Sequence, residues 1–280
     1  MAYKTILTHL STPDRVKPVL DVAVPLARKH QAHLIGLHVV PVPHIYAIVA
    51  AEMSAPILDA QEKYYREQSE QVQEAFEART KSEDIATEWR SVSGHIFPIA
   101  DVINMHGAAA DLIVTSQIQP DNDWEARADL PIRVILESGR PVLIVPHAGG
   151  ATEIGKYITV AWNGSREAAR ATFDALPLLD GAEQVKVLSL DPDRASARAT
   201  FTPSDALTLA LVRQGVNAEA TSGSSSGASV GEALLTHVTQ QGGDLLVMGC
   251  YGHARFQEFI FGGATRHVLH NATVPVLMSH

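Results

Sequence analysis

A chain of 280 residues with 46% hydrophobic and 19% charged content can bury one or two cores, and two ordinary domains fit it best. The net charge of -9 and pI of about 5.8 exclude a broad electrostatic surface for nucleic acid or anionic membrane, and leave room for a local pocket that takes a small anion. A single cysteine, Cys250, excludes an internal disulfide, no apolar run is long enough for a bilayer, and "MAYKTILTHL" lacks the zones of a secretory leader. A cytoplasmic protein without a membrane partner is the expectation.

In chain order, "YKTILTHLSTPDRVKPVLDVAVPLARKHQAHLIGLHVV" reads as a β-rich strand, a polar turn, an Ala/Leu/Val-periodic helix and a second apolar strand. Residues Glu62 to Ser82 are polar with a modest apolar stripe, the pattern of a solvated outer helix rather than a binding surface. "ADLIVTS" (Ala110 to Ser116) and "RPVLIVPH" give two further strands. The small and Gly-rich stretch from Pro146 to Lys156 reads as a linker, with the boundary near Gly150, so that residues 1–149 and 150–280 form two domains.

From Tyr157 the order repeats. "YITVAWNGSREAARATFDALPLLDGAEQVKVLSL" echoes the opening segment, "GDLLVMG" (Gly243 to Gly249) matches "ADLIVTS", and "VPVLMSH" matches "RPVLIVPH". Strands apolar along their whole length and alternating with helices predict parallel sheets covered on both faces. The fold class is therefore α/β: two tandem parallel-sheet sandwich domains. In the second, Gly249 closes a buried strand at its carboxyl end, where open α/β sheets bind ligands. Gly249 and Gly252 permit a sharp turn and a close backbone approach. Gly262, Gly263, Ala264 and Thr265 run into "RHVLHN", a helix whose free N–H groups suit an anion. Thr265 either adds a hydroxyl to phosphate or caps that helix.

The G-x2-G-x9-G spacing after "DLLVMG", ending in "VPVLMSH", resembles the universal stress protein family, and the likeness covers nearly the whole chain twice. The resemblance implies a Rossmann-like, adenine nucleotide alpha hydrolase-like fold in each half, and a glycine loop that wraps the ribose and phosphates of ATP or AMP, with or without magnesium. It implies a nucleotide site built from Ala161, Trp162, Asn163, Ser165, Leu190, Met248, Gly249, Gly252, His253, Arg255, Gly262, Gly263, Ala264 and Thr265. Two positions depart from the family pattern. Gly263 stands where a Ser or Thr hydroxyl usually follows the last motif glycine, and Asn163 stands where the first strand usually ends in Asp, keeping an acceptor oxygen but losing the charge. Trp162 either covers an adenine ring or, the more frequent outcome at a strand end, is buried. His253 and Arg255 face either phosphate or solvent.

The first half lacks these features. Asp111 and Asp244 are 133 residues apart, as are Arg133 and Arg266, and that offset puts Ser116, Gln119, Asp129 and Leu130 at the places of Gly249, Gly252, Gly262 and Gly263. Asp129 would repel phosphate oxygens, and Ser11 takes the position of the strand-ending Asp. A first domain without the nucleotide site, kept for packing, a partner or another ligand, is the expectation.

The run "SGSSSGASVGEALL" lacks the Lys of a phosphate loop and reads as a turn, with Ser229 and Glu232 forming a capping-box pattern. The thirteen histidines form no HExxH or Cys/His cluster, so no structural metal is expected. No Walker Lys or loop-linked carboxylate pair supports phosphoryl chemistry, which ranks a nucleotide-responsive binding protein ahead of a slow ATPase or of a partner-binding module with a vestigial loop. Family members dimerise through the closing strand. The resemblance thus implies that Val142 to Val145 and Val276 to Met278 pair across a pseudo-twofold axis within one chain, making a built-in dimer, with a homodimer of chains beyond it.

Overall fold

The computed structural model describes residues 2–40, 55–93, 98–117, 130–147, 154–191, 203–250 and 263–280. The first half runs β1 (Thr5–His9), α1 (Pro13–His30), β2 (His33–Val40), α2 (Ala55–Thr80), β3 (Thr87–Ser93), α3 (Ile99–Gly107), β4 (Leu112–Ser116), α4 (Leu130–Glu137) and β5 (Val142–Val145). The second runs β6 (Tyr157–Ala161), α5 (Arg166–Asp174), α6 (Leu176–Leu179), β7 (Gln184–Leu190), α7 (Ser204–Arg213), β8 (Ala218–Gly223), α8 (Val230–Gln240), β9 (Leu245–Gly249), α9 (Gly263–Asn271) and β10 (Val276–Ser279). Two expected elements differ in extent. Helix α2 begins at Ala55, ahead of Glu62, and the single helix expected after β6 is two, meeting at Ala175 just before Pro177, whose ring cannot continue the hydrogen-bond ladder.

All ten strands form one sheet in the order β3-β2-β1-β4-β5-β10-β9-β6-β7-β8. Every neighbouring pair is parallel except β5 and β10, which run antiparallel in the register Ile144 to Val276, Leu143 to Leu277 and Val142 to Met278. Each half is thus a five-stranded parallel sheet, and the closing strands join the two into one. Two apolar layers cover the sheet. One packs α1, α2, α5, α6 and α7 through residues such as Val19, Phe76, Ala171, Leu178 and Leu211; the other packs α3, α4, α8 and α9 through Ile103, Ile135, Val238 and Val268. Both layers contain residues from both halves, so the core is continuous across the seam.

Strand β2, with neighbours on both sides, is buried over six central residues, whereas the outer strands β3 and β8 are largely exposed. The repeated aspartates of "ADLIVTS" and "GDLLVMG" hold the entry to the first strand of each half. Asp111 accepts from the amides of Lys4 and Thr5 at 2.7 and 2.9 Å, and Asp244 accepts from those of Gly155, Lys156 and Tyr157 at 2.9, 2.8 and 3.1 Å. Across the seam, Tyr3 Oη donates to the Asp174 carbonyl at 2.8 Å, and Lys29 Nζ to that of Asp180 at 3.1 Å. No described helix is long and apolar enough to cross a membrane. The boundary expected near Gly150 lies outside the described residues.

Candidate functional site

In the second half the carboxyl ends of β6 and β9 are neighbours, Val160 lying beside Val247. The turn after β6 is built from its own side chains. Asn163 Oδ1 accepts from the Ser165 amide at 3.1 Å, and Ser165 Oγ caps α5 by accepting from the Ala168 amide at 3.1 Å. The acceptor oxygen of Asn163 is thus engaged by local backbone.

Trp162 is 7% exposed and packs in the layer of α5 and α6, as the buried reading of a strand-end Trp expects. Ala161 and Leu190 are half-buried at the sheet edge. Met248 is buried on the opposite layer, with Val268 and Leu269 of α9.

Packing alone requires glycine at position 249. A Cβ there would stand 2.5 Å from the Ala168 nitrogen and 2.5 Å from the Glu167 carbonyl carbon, so the first turn of α5 packs directly on its Cα. Gly231 serves α9 in the same way. A Cβ on it would lie 2.8 Å from the Ala264 carbonyl oxygen and 2.8 Å from His267 Cβ, so the first turns of α8 and α9 touch. At Gly263, the first residue of α9, an added Cβ meets nothing among the described residues within 4 Å. The N-termini of α5, α8 and α9 therefore gather at the edge where β6 and β9 end.

Thr265, in the first turn of α9, is buried, and its hydroxyl is engaged with the Cys250 thiol. Burial pushes that thiol up to about 12, with Glu167 adding to the effect and the Thr265 hydrogen bond opposing it. For the Glu167 carboxyl, burial works upward, but hydrogen bonds from Arg166, from its own amide and from Ser165 outweigh it and hold the group below its ordinary range. Gly252, His253, Arg255 and Gly262 lie outside the described residues.

Three contributors escaped sequence reading: Glu167, Gly231 and Asp191. Asp191 follows β7 in the left-handed region (φ 46) and holds the serine run, accepting from Ser225 Oγ at 2.6 Å and from Ser224 Oγ at 3.1 Å. Its signal is faint, an acid at a strand end answering serines 33 and 34 residues on. Ser229 caps α8, accepting from the Glu232 amide at 3.2 Å, as its sequence position predicts. Among the described residues no three His, Cys, Asp or Glu side chains gather as a metal site.

The profile of the universal stress protein family matches residues 2–119 and again residues 156–280. The chain belongs to the universal stress protein family. Solved structures agree with this at the level of fold. A universal stress protein from Archaeoglobus fulgidus is similar over 98% of this chain and 97% of its own, with 16% identity and a TM-score of 0.66. A protein of Pseudomonas aeruginosa assigned to the universal stress proteins is similar over 99% of this chain and 93% of its own, with 12% identity and a TM-score of 0.54. No curated sequence is similar enough to the chain to match it.

In this universal stress protein the two halves carry different groups at the same sheet edge. Ser116 and Gln117 stand at the places of Gly249 and Cys250, the amides of Gln117 and Cys250 bonding to the carbonyls of Val145 and Ser279. Gln117 Oε1 accepts from the His147 amide at 2.9 Å, and Arg15 donates to the carbonyls of Val145 and Pro146 at 3.3 and 3.0 Å. The first half's edge is therefore crossed by side chains. Asp129 and Gln119 lie outside the described residues.

Proposed function

We propose that this universal stress protein binds one adenine nucleotide per chain, ATP or AMP with or without magnesium, in its C-terminal half, and acts by binding rather than by hydrolysis. The supporting observation is the asymmetry between the halves. In the second, no described residue would meet a side chain at Gly263, at the start of α9 beside the ends of β6 and β9. In the first, Ser116, Gln117 and Arg15 carry side chains across the same edge. A helix start with unpaired N–H groups suits a phosphate, and the Asn163 turn suits the adenosine end of such a ligand. Bound nucleotide then biases conformation or the pairing of two chains.

Isothermal titration with ATP and with AMP tests this reading. One site per chain, abolished by Gly252→Val or Gly262→Val with the fold retained, is the expected result. Two equivalent sites, or no binding of any adenine nucleotide, would overturn it.

A further inference from the structure

The first half buries imidazoles where the second has small or uncharged side chains. His9, at the end of β1, holds the place of Ala161, and His38, near the end of β2, holds that of Ser189, as the pairing of Thr5 with His33 and of Tyr157 with Gln184 fixes. His9 is 3% exposed, and its Nδ1 lies 3.1 Å from Thr115 Oγ1. His38 is 1% exposed, and its Nδ1 lies 2.7 Å from the Leu10 carbonyl oxygen. A carbonyl only accepts, so Nδ1 carries the proton and Nε2 is a bare lone pair. That Nε2 has no hydrogen-bond partner, and the Trp89 ring lies stacked beside the imidazole at 6.5 Å.

A second proton on His38 would create a buried N–H without an acceptor and a charge without a counter-ion. Among the described residues, the groups facing it are the Leu10 carbonyl and the Trp89 ring, with His9 within electrostatic range, and those facing His9 are Thr115 and His38. No carboxylate among the described residues opposes charge on either imidazole. His30, also buried, packs edge-on against Tyr3 at 5.2 Å beside the seam, with Lys29 and Lys4 opposing its charge and Asp180 favouring it.

We propose that the N-terminal half is an acid-labile unit: protonation of His9 and His38 opens β1, β2 and β4, while the C-terminal half, with Ala161 and Ser189 at those places, keeps its fold. Desolvation brings His9 down to about 3 and lowers His38 and His30 as well. Each folded value lies below the ordinary 6.5, so in that interval the unfolded chain binds more protons. The stabilisation is complete above the ordinary value and is lost as pH falls beneath it. Each buried histidine weakens the folding equilibrium by up to about tenfold per pH unit in that window. Among the described residues of the second half, His237 is the histidine that burial lowers; it is only half-buried, and its contribution is smaller.

Hydrogen exchange of the full chain at about pH 7.5 and about pH 5, corrected for the intrinsic exchange rate, reads each half separately. The expected result is a loss of protection in β1, β2 and β4 exceeding that in β6, β7 and β9 by at least about tenfold. His38→Asn keeps a donor for the Leu10 carbonyl and cannot take a proton, and with His9→Asn it should remove the excess. Equal loss in both halves overturns the proposal, as does a wild-type pH response in the double variant. Should the variant fail to fold, the comparison of the two wild-type halves decides alone.

Discussion

Leu143 and Leu277 stand opposite each other in the antiparallel pair that joins the halves, and both are fully buried. They occupy equivalent places in the two repeats, one after Pro141 and the other after Pro275, so exchanging the halves maps the pair onto itself. Two edges that would each present unpaired N–H and C=O groups thereby close one another, and the two prolines precede their strands, where a missing N–H does no harm. Leu143→Lys or Leu277→Lys should destabilise the chain by about 3–5 kcal/mol, because an ammonium would be left unpaired in the apolar layer packed by α1 and α5. Urea denaturation measures it; a loss below about 1 kcal/mol would mean that the seam tolerates charge and is not a dry contact.

Gly249 and Gly263 should answer oppositely to a small side chain. Gly249→Ala drives a methyl into the backbone of α5 and should cost about 1–3 kcal/mol, read as a lowered Tm. Gly263→Ser places its Cβ in open space, should change stability by less than about 0.5 kcal/mol, and adds a hydroxyl at the start of α9. Under the proposed function it raises nucleotide affinity by about 1 kcal/mol in a titration. An unaltered affinity would separate that hydroxyl from the ligand.

Asp244→Ala should cost more stability than Asp111→Ala, about 1–3 kcal/mol each, since one carboxylate holds three backbone amides and the other two. Guanidinium unfolding of the two variants ranks them, and the reverse order would show that the clasp does not set the effect.

Cys250 should resist alkylation in the native protein. With its thiol raised to about 12 by burial, it is protonated at neutral and mildly alkaline pH. A thiol-reactive disulfide reagent is expected to label it only at the rate of unfolding; prompt labelling of folded protein would contradict the burial.

The strands, their parallel class and the duplication are visible in the sequence, because a buried parallel strand must be apolar on both faces and a repeat is a property of the string itself. "DLLVMG" and "VPVLMSH" became β9 and β10 on that ground, and the seam between the closing strands is as the resemblance to the family implies. The site was legible only in outline. Periodicity marks Gly249 as the end of a strand, yet that its Cα carries the first turn of α5 depends on a contact across 82 residues of chain. Trp162 adjoins Asn163 in sequence, but strand alternation turns its ring into the core and away from the edge. The grip of Asp191 on Ser225, and the burial of His9 and His38, were likewise decided by the tertiary structure. Local pattern reports which face of an element is apolar. Which remote group meets that face, and whether water reaches it, is settled only when the layers close.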